Sequence, residues 1–161
     1  MSSVYIVIED AKDWKPYYPS ANVITVQDYL FGDHSSAPPA TRIINLCRGY
    51  QYLSMGYYCS LLAEARGHRV IPSVRTINDL SRKAIYSLDT EDLDELLNKS
   101  LGKDQAKMAD TFTLDIFFGR TAHEQLSDLA RQLFEMFSCP LLQVEFRHSG
   151  KWRIKAIRPK E

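Results

Sequence analysis

Short β-branched runs, each closed by polar residues or a loop, most constrain what this 161-residue chain can fold into. Val4–Ile8 ends in Glu9-Asp10, and Val23–Val26 leads into Asp28-Tyr29-Leu30. Arg42–Leu46 runs into Cys47-Arg48, and His68–Val74 precedes a helix opened by Thr76. Runs this short, rich in Val and Ile, read as strands. Trp14, Pro16 and Pro19 forbid a long helix after the first of them. The stretch Gly32–Thr41, with its Gly, Ser and Pro residues, is an exposed loop. A helix is predicted from Met55 to Arg66, with Tyr57, Tyr58, Leu61, Leu62 and Ala65 on one face and Gly67 at C′.

The second half has a different order. Thr90, Glu91 and Asp92 read as an N-cap with an acidic first turn. Leu93, Leu96, Leu97 and Leu101 give that helix its apolar stripe, and Gly102 ends it. The acidic residues 91–95 read as a solvated helix start. Phe112, Leu114, Ile116 and Phe118 alternate with wetter positions, as a half-buried strand does. Thr121 to Glu124 fits a capping box. Leu126, Leu129, Ala130, Leu133, Phe134 and Phe137 follow at helical spacing until Cys139-Pro140. Leu142-Val144-Phe146 and Trp152-Ile154-Ala156 flank Ser149-Gly150 as a hairpin. The expected class is α/β (α+β): a single layered domain over residues 1–161, a mixed sheet with flanking helices, and a C-terminal hairpin.

Composition removes several function classes. Hydrophobic residues make up 45% and charged residues 25%, which suits a folded domain rather than a disordered chain. Twenty basic and twenty acidic residues cancel, so nucleic acid and anionic membranes are not expected partners. Arg153 and Lys155 alternate with Trp152, Ile154 and Ala156, as the wet face of a hairpin would. No apolar run reaches the length of a membrane span, and Met1-Ser2-Ser3-Val4 does not begin like a signal peptide. Three cysteines without a CxxC pair support neither a disulfide framework nor a cysteine-rich zinc site. A reducing, cytoplasmic location is the expectation. The four histidines have no i, i+4 pairing and no HExxH, so no metal is expected.

One stretch is not explained by core patterning. It runs Asn45-Leu46-Cys47-Arg48-Gly49-Tyr50-Gln51-Tyr52-Leu53-Ser54-Met55-Gly56-Tyr57-Tyr58 and continues from Ser60 through Ala65-Arg66-Gly67-His68 to Val74. With the opening Val7 to Trp14, Pro140-Leu141-Leu142 and Lys151-Trp152-Arg153-Ile154, it closely resembles the N-terminal domain that precedes the catalytic part of RimK-like ATP-grasp ligases. The resemblance implies an accessory domain of an ATP-dependent amide or peptide ligase of the glutamate type. Its partner would be an ATP-grasp module in cis or trans, and Mg-ATP would belong to that module. The chain itself has no GxxxxGK[ST] and no GxGxxG, and the catalytic module is expected to lie outside it.

Ligands of open α/β sheets sit beyond the carboxyl ends of the strands. Glu9-Asp10, Cys47-Arg48 and Ser73 with Arg75 follow three predicted strands, and they converge if those strands are parallel neighbours. Candidate substrate-binding residues are therefore Asp10, Asn45, Arg48, Tyr50, Tyr52 and Arg75. Arg48 is the expected anchor for a carboxylate-bearing amino acid or peptide; the plainer reading is a structural ion pair to Asp10 or Asp28. Tyr50 and Tyr52 offer flat faces with polar tips. Gly49 and Gly56 would allow close backbone approach or a positive φ. Cys47, beside an arginine and before a helix, is the candidate catalytic nucleophile, though no histidine stands next to it in sequence. Two alternatives remain: a free-standing cysteine-dependent hydrolase or acyl-transfer domain using Cys47, or a noncatalytic docking or dimerisation module with possible homo-oligomers.

Overall fold

The first four strands pair in parallel. β1 (Val4–Ile8) lies between β2 (Val23–Thr25) and β3 (Arg42–Asn45), and β4 (Arg69–Ile71) follows β3, giving the order β2-β1-β3-β4. The register sets Val7 beside Ile24 and Asn45, and Ile43 beside Tyr5 and Val70. The chain adds β2 on one side of β1 and β3 on the other, so the winding reverses at β1. In the computed structural model, the described residues are 3–14, 22–32, 38–82, 91–101 and 110–160. The chain divides into two compact units, Met1–Ile77 and Asn78–Lys160.

In the first unit, α1 (Val26–Phe31) and α2 (Met55–Ala65) cover one sheet face. The second strand stops at Thr25, one residue earlier than the β-branched run suggests. The Thr25 hydroxyl accepts the Asp28 N–H at 3.2 Å and caps α1. The carbonyls at the other end of α1 are met by Arg66, which donates to Tyr29 and Leu30 oxygens at 2.7 and 3.0 Å. Its guanidinium also stands 5.0 Å from the Tyr29 ring centroid. The Tyr29 hydroxyl meets Nδ1 of buried His68 at 2.6 Å.

The buried face of α2 differs from the predicted one. Gly56, Cys59, Ser60 and Ala63 face inward, while Leu61 and Ala65 are exposed and Tyr57 and Tyr58 only half-buried. Both sets have helical spacing. The small set wins because it lets the helix backbone approach the sheet closely; larger residues then flank the contact. Val7, Ile24, Tyr29, Ile43, Cys59, Ala63 and Val70 form the core of this layer. The helix after β4, α3 (Val74–Ser81), is opened by Ser73, not Thr76: the Ser73 hydroxyl accepts the Thr76 N–H at 3.1 Å. The boundary between the two units falls within α3.

The second unit is antiparallel. β5 (Thr111–Phe117), β6 (Leu141–Ser149) and β7 (Lys151–Pro159) are ordered β5-β6-β7, with α4 (Glu91–Leu101) and α5 (Ser127–Met136). The α/β class and the C-terminal hairpin about Gly150 are both present; parallel and antiparallel pairing occupy two sheets rather than sharing one. A bulge between Glu145 and Phe146 leaves Lys155 as the extra residue of β7. It moves the inward position from Ala156 to Ile157, which is buried with Trp152. The 91–95 run is more than a wet helix start. Asp94 accepts the Ile154 N–H at 2.9 Å, and Asn98 pairs with both backbone groups of Trp152 at 2.8 Å. One turn apart on α4, these side chains satisfy the outer edge of β7. The predicted Thr90 cap and Gly102 stop lie outside the described residues.

No capping box forms at Thr121. A 3-10 turn, Glu124–Leu126, leads into α5 without a side-chain cap, and the Thr121 hydroxyl is buried without a partner among the described residues. No described helix is long and apolar enough to cross a membrane.

Candidate functional site

Because β1, β3 and β4 are parallel neighbours, their carboxyl ends lie along one edge of the sheet. The winding reverses between β1 and β3, and that switch point is the usual ligand position in such sheets. Glu9 and Arg48 follow these two strands, and their side chains meet: Arg48 Nη1 is 3.8 Å from Glu9 Oε2. Arg48 Nη2 donates to Asp13 Oδ1 at 2.6 Å. The ion partners are therefore Asp13 and Glu9, not Asp10 or Asp28. The Arg48 side chain stays 49% exposed, so it remains open to a solute.

Asp10 has a local task. Its carboxylate accepts the Lys12 N–H at 3.0 Å, while the Asp13 carboxylate accepts the Asp10 N–H at 3.3 Å. This reciprocal cap holds the turn Ala11–Asp13 and presents Asp13 to Arg48. Lys12 Nζ lies 3.7 Å from Asp10. Hydrogen bonding to Arg48 holds the Asp13 carboxyl below its ordinary range against a smaller desolvation effect. The same bond raises the Arg48 pKa, and the fields of Asp13, Glu9 and Asp10 add to it. The cluster thus sets Arg48 and Lys12 among three carboxylates. Sequence reading singled out the strand-end pair Glu9-Asp10 but passed over Asp13; the Asp10-x-x-Asp13 spacing was the available signal.

Asn45 and Tyr50 are buried and bonded within the protein. Asn45 is fully buried, and its amide donates to Gly56 O at 2.8 Å and to Ser60 Oγ at 2.9 Å. Its Oδ1 accepts the Cys47 N–H at 3.1 Å. The Tyr50 hydroxyl donates to Asn45 O at 2.6 Å, and the residue is buried. Ser60 donates in turn to Pro72 O at 2.7 Å. These bonds tie the loop after β3 to α2 and to the end of β4. The loop they hold carries Arg48.

Gly56 is required for closeness rather than for a positive φ. A Cβ there would stand 2.0 Å from Gly49 O and 3.1 Å from Cys47 Cβ. Beyond the anchored part, the loop surfaces. Tyr52 is 76% exposed, edge-on to Tyr57 at 5.3 Å, and Leu53 is exposed at φ 68°. A non-glycine residue in that region signals local constraint. Ser54 ends the loop by accepting the Tyr57 N–H at 3.2 Å. Tyr52 therefore remains a candidate contact, and Arg75 is exposed on the first turn of α3, one strand further along the edge.

Cys47 is buried in the core with Cys59. The hydrogen bond between the two thiols, helped by burial, pushes the Cys59 thiol well up. That environment favours the neutral form of the Cys59 thiol. His68, one of the two histidines nearest in sequence, has Nδ1 against Tyr29; the other, His34, lies outside the described residues. No group of three or more His, Cys, Asp or Glu among the described residues could hold a metal ion.

Residues 26–161 match the family model of the RimK-like ATP-grasp N-terminal domain. The matched span contains the Asn45–Val74 stretch, the exposed aromatic loop and the whole antiparallel sheet; β1 precedes it. No curated protein matches the chain. With most of its length inside that match, the chain belongs to the RimK-like ATP-grasp N-terminal domain family.

Proposed function

We propose that this domain recognises the amino-acid or peptide substrate of an ATP-dependent amide ligase. Its family makes it an accessory domain associated with an ATP-grasp module. In this reading Mg-ATP and the acyl-transfer chemistry belong to that module, and the domain supplies a binding edge. The observation that carries the reading is Arg48: half-exposed, at the reversal point of the sheet, and flanked by Glu9 and Asp13. A guanidinium binds a carboxylate through paired hydrogen bonds, and the neighbouring carboxylates attract an ammonium group. A guanidinium set among carboxylates suits a zwitterion, such as an amino acid or a peptide terminus. Tyr52 stands on the loop above with a face for the rest of the ligand, and Arg75 extends the edge.

Binding requires the incoming carboxylate to displace Asp13 from Arg48. Titration calorimetry with glutamate and short acidic peptides tests this on wild type, Arg48→Ala and Asp13→Asn. Arg48→Ala is expected to lower affinity at least tenfold. Asp13→Asn is expected to strengthen binding, because the competing anion is gone. Unchanged affinity in folded Arg48→Ala refutes the anchor role, and no binding to wild type refutes the reading.

A further inference from the structure

β5 and a short return to Arg120 are joined by an unusual turn. Phe117 and Arg120 exchange backbone hydrogen bonds at 2.8 and 2.9 Å. Phe118 and Gly119, the central residues, have φ of 50° and 79°. Two positive φ values mark the turn type that favours Asn-Gly or Gly-Gly, because a side chain at the first position is crowded by its own backbone. Here that position holds phenylalanine, and Phe117 and Phe118 are each 45% exposed. The turn is held firmly. The Phe118 N–H donates to Pro140 O at 2.8 Å, and Gly119 lies so close to Phe134 that an added Cβ would be 3.2 Å from it. An unfavourable residue is thus fixed in place, yet its ring is not buried.

The end of β7 adjoins the same turn. Lys160 N–H donates to Leu141 O at 2.9 Å, and Leu141 is the register partner of Phe117. Lys160 Nζ reaches Asp115 at 2.7 Å and stands 5.2 Å from the Phe117 ring centroid. Arg120 is exposed at the rim. Exposed aromatics bordered by arginine have the composition of an interface centre.

We propose that the Phe117-Phe118 turn is the surface on which the ATP-grasp module docks. This rests on the family reading, in which that module follows the domain in the chain. In that order the link to the module leaves after β7, and Lys160 there stands over the Phe117 ring. The complementary face would offer an apolar socket for Phe117 and Phe118, with carboxylates facing Arg120.

The test adds a RimK-like ATP-grasp module, produced as a separate chain, to wild type, Phe117→Ser/Phe118→Ser and Arg48→Ala. Affinity is read by calorimetry, and contact by hydrogen exchange over residues 111–120. The proposal expects slowed exchange at the turn and at least tenfold weaker binding in the double variant, with Arg48→Ala unaffected. Binding of equal strength to wild type and double variant overturns the surface but leaves the family reading intact. No binding to any form overturns association with the module, and the docking surface with it. Sedimentation of the chain alone adds a further outcome. A wild-type dimer that becomes monomeric in the double variant makes a second copy the occupant and also overturns the proposal.

Discussion

Replacing Asn45 by alanine tests whether the loop carrying Arg48 is held by a buried polar network. Asn45 makes three hydrogen bonds, to Gly56 O, Ser60 Oγ and the Cys47 N–H. Alanine removes all three and leaves a space where the amide was. Ser60 keeps its bond to Pro72 O, so its loss is partial. The Cys47 N–H loses its partner, while the Gly56 carbonyl keeps the helical acceptor role its place in α2 gives it. An unsatisfied buried group costs about 1–3 kcal/mol. One such group, together with the cavity left by the amide, places the expected loss at about 3 kcal/mol. A loss of 3 kcal/mol corresponds to roughly 150-fold in an opening equilibrium, at about 1.4 kcal/mol per factor of ten. Native-state hydrogen exchange on peptides from residues 45–60 reads this locally, whether or not the two units unfold together. Ser60→Ala and the double variant complete a thermodynamic cycle. A coupling of about 0.5–2 kcal/mol between the two sites is expected for groups that share a network. Exchange accelerated less than fivefold by Asn45→Ala, or a coupling near zero, would refute the claim that this network holds the loop.

Three further outcomes follow from the packing. Gly56→Ala sets a Cβ 2.0 Å from Gly49 O, so the helix or loop must move; a loss of about 3 kcal/mol in urea unfolding is expected, and a neutral effect would contradict the close approach. Asn98→Leu strips both backbone groups of Trp152 of their α4 partner; about 2 kcal/mol is expected, seen as faster exchange in β7. Burial pushes the Tyr29 pKa up to about 12, so the folded state resists its ionisation and the unfolded state does not. Stability from this group is full below pH 10 and falls between pH 10 and 12, by up to about 3 kcal/mol. Thermal melts of wild type against Tyr29→Phe across that window should converge; parallel curves would count against the shift.

Much of the architecture was legible along the chain. β1, β3, the hairpin and the long helices have hydrophobic periods and turn residues that act locally, and these need no knowledge of partners. The strand ends bearing Glu9 and Arg48 could likewise be named as an edge. The boundaries that moved were decided by hydroxyl caps at Thr25 and Ser73, which residues of either neighbouring element can supply. The face of α2 moved because two interleaved sets share one period, and only the separation from the sheet chooses between them. The Glu145-Phe146 bulge reversed an alternation that was regular in sequence.

The sequence by itself determined the α/β class, the family and the position of Arg48 at a strand end, because periodicity and short motifs are properties of neighbouring residues. Only the tertiary structure decided that Asn45 and Tyr50 are buried and internally bonded, that Asp13 is the partner of Arg48, that Cys47 lies against Cys59 and that Phe118 stands outside. Each of those depends on groups far apart in the chain being brought within a hydrogen bond or a van der Waals contact. A side chain's type sets what it can do, and its burial and its partners select which of those things it does.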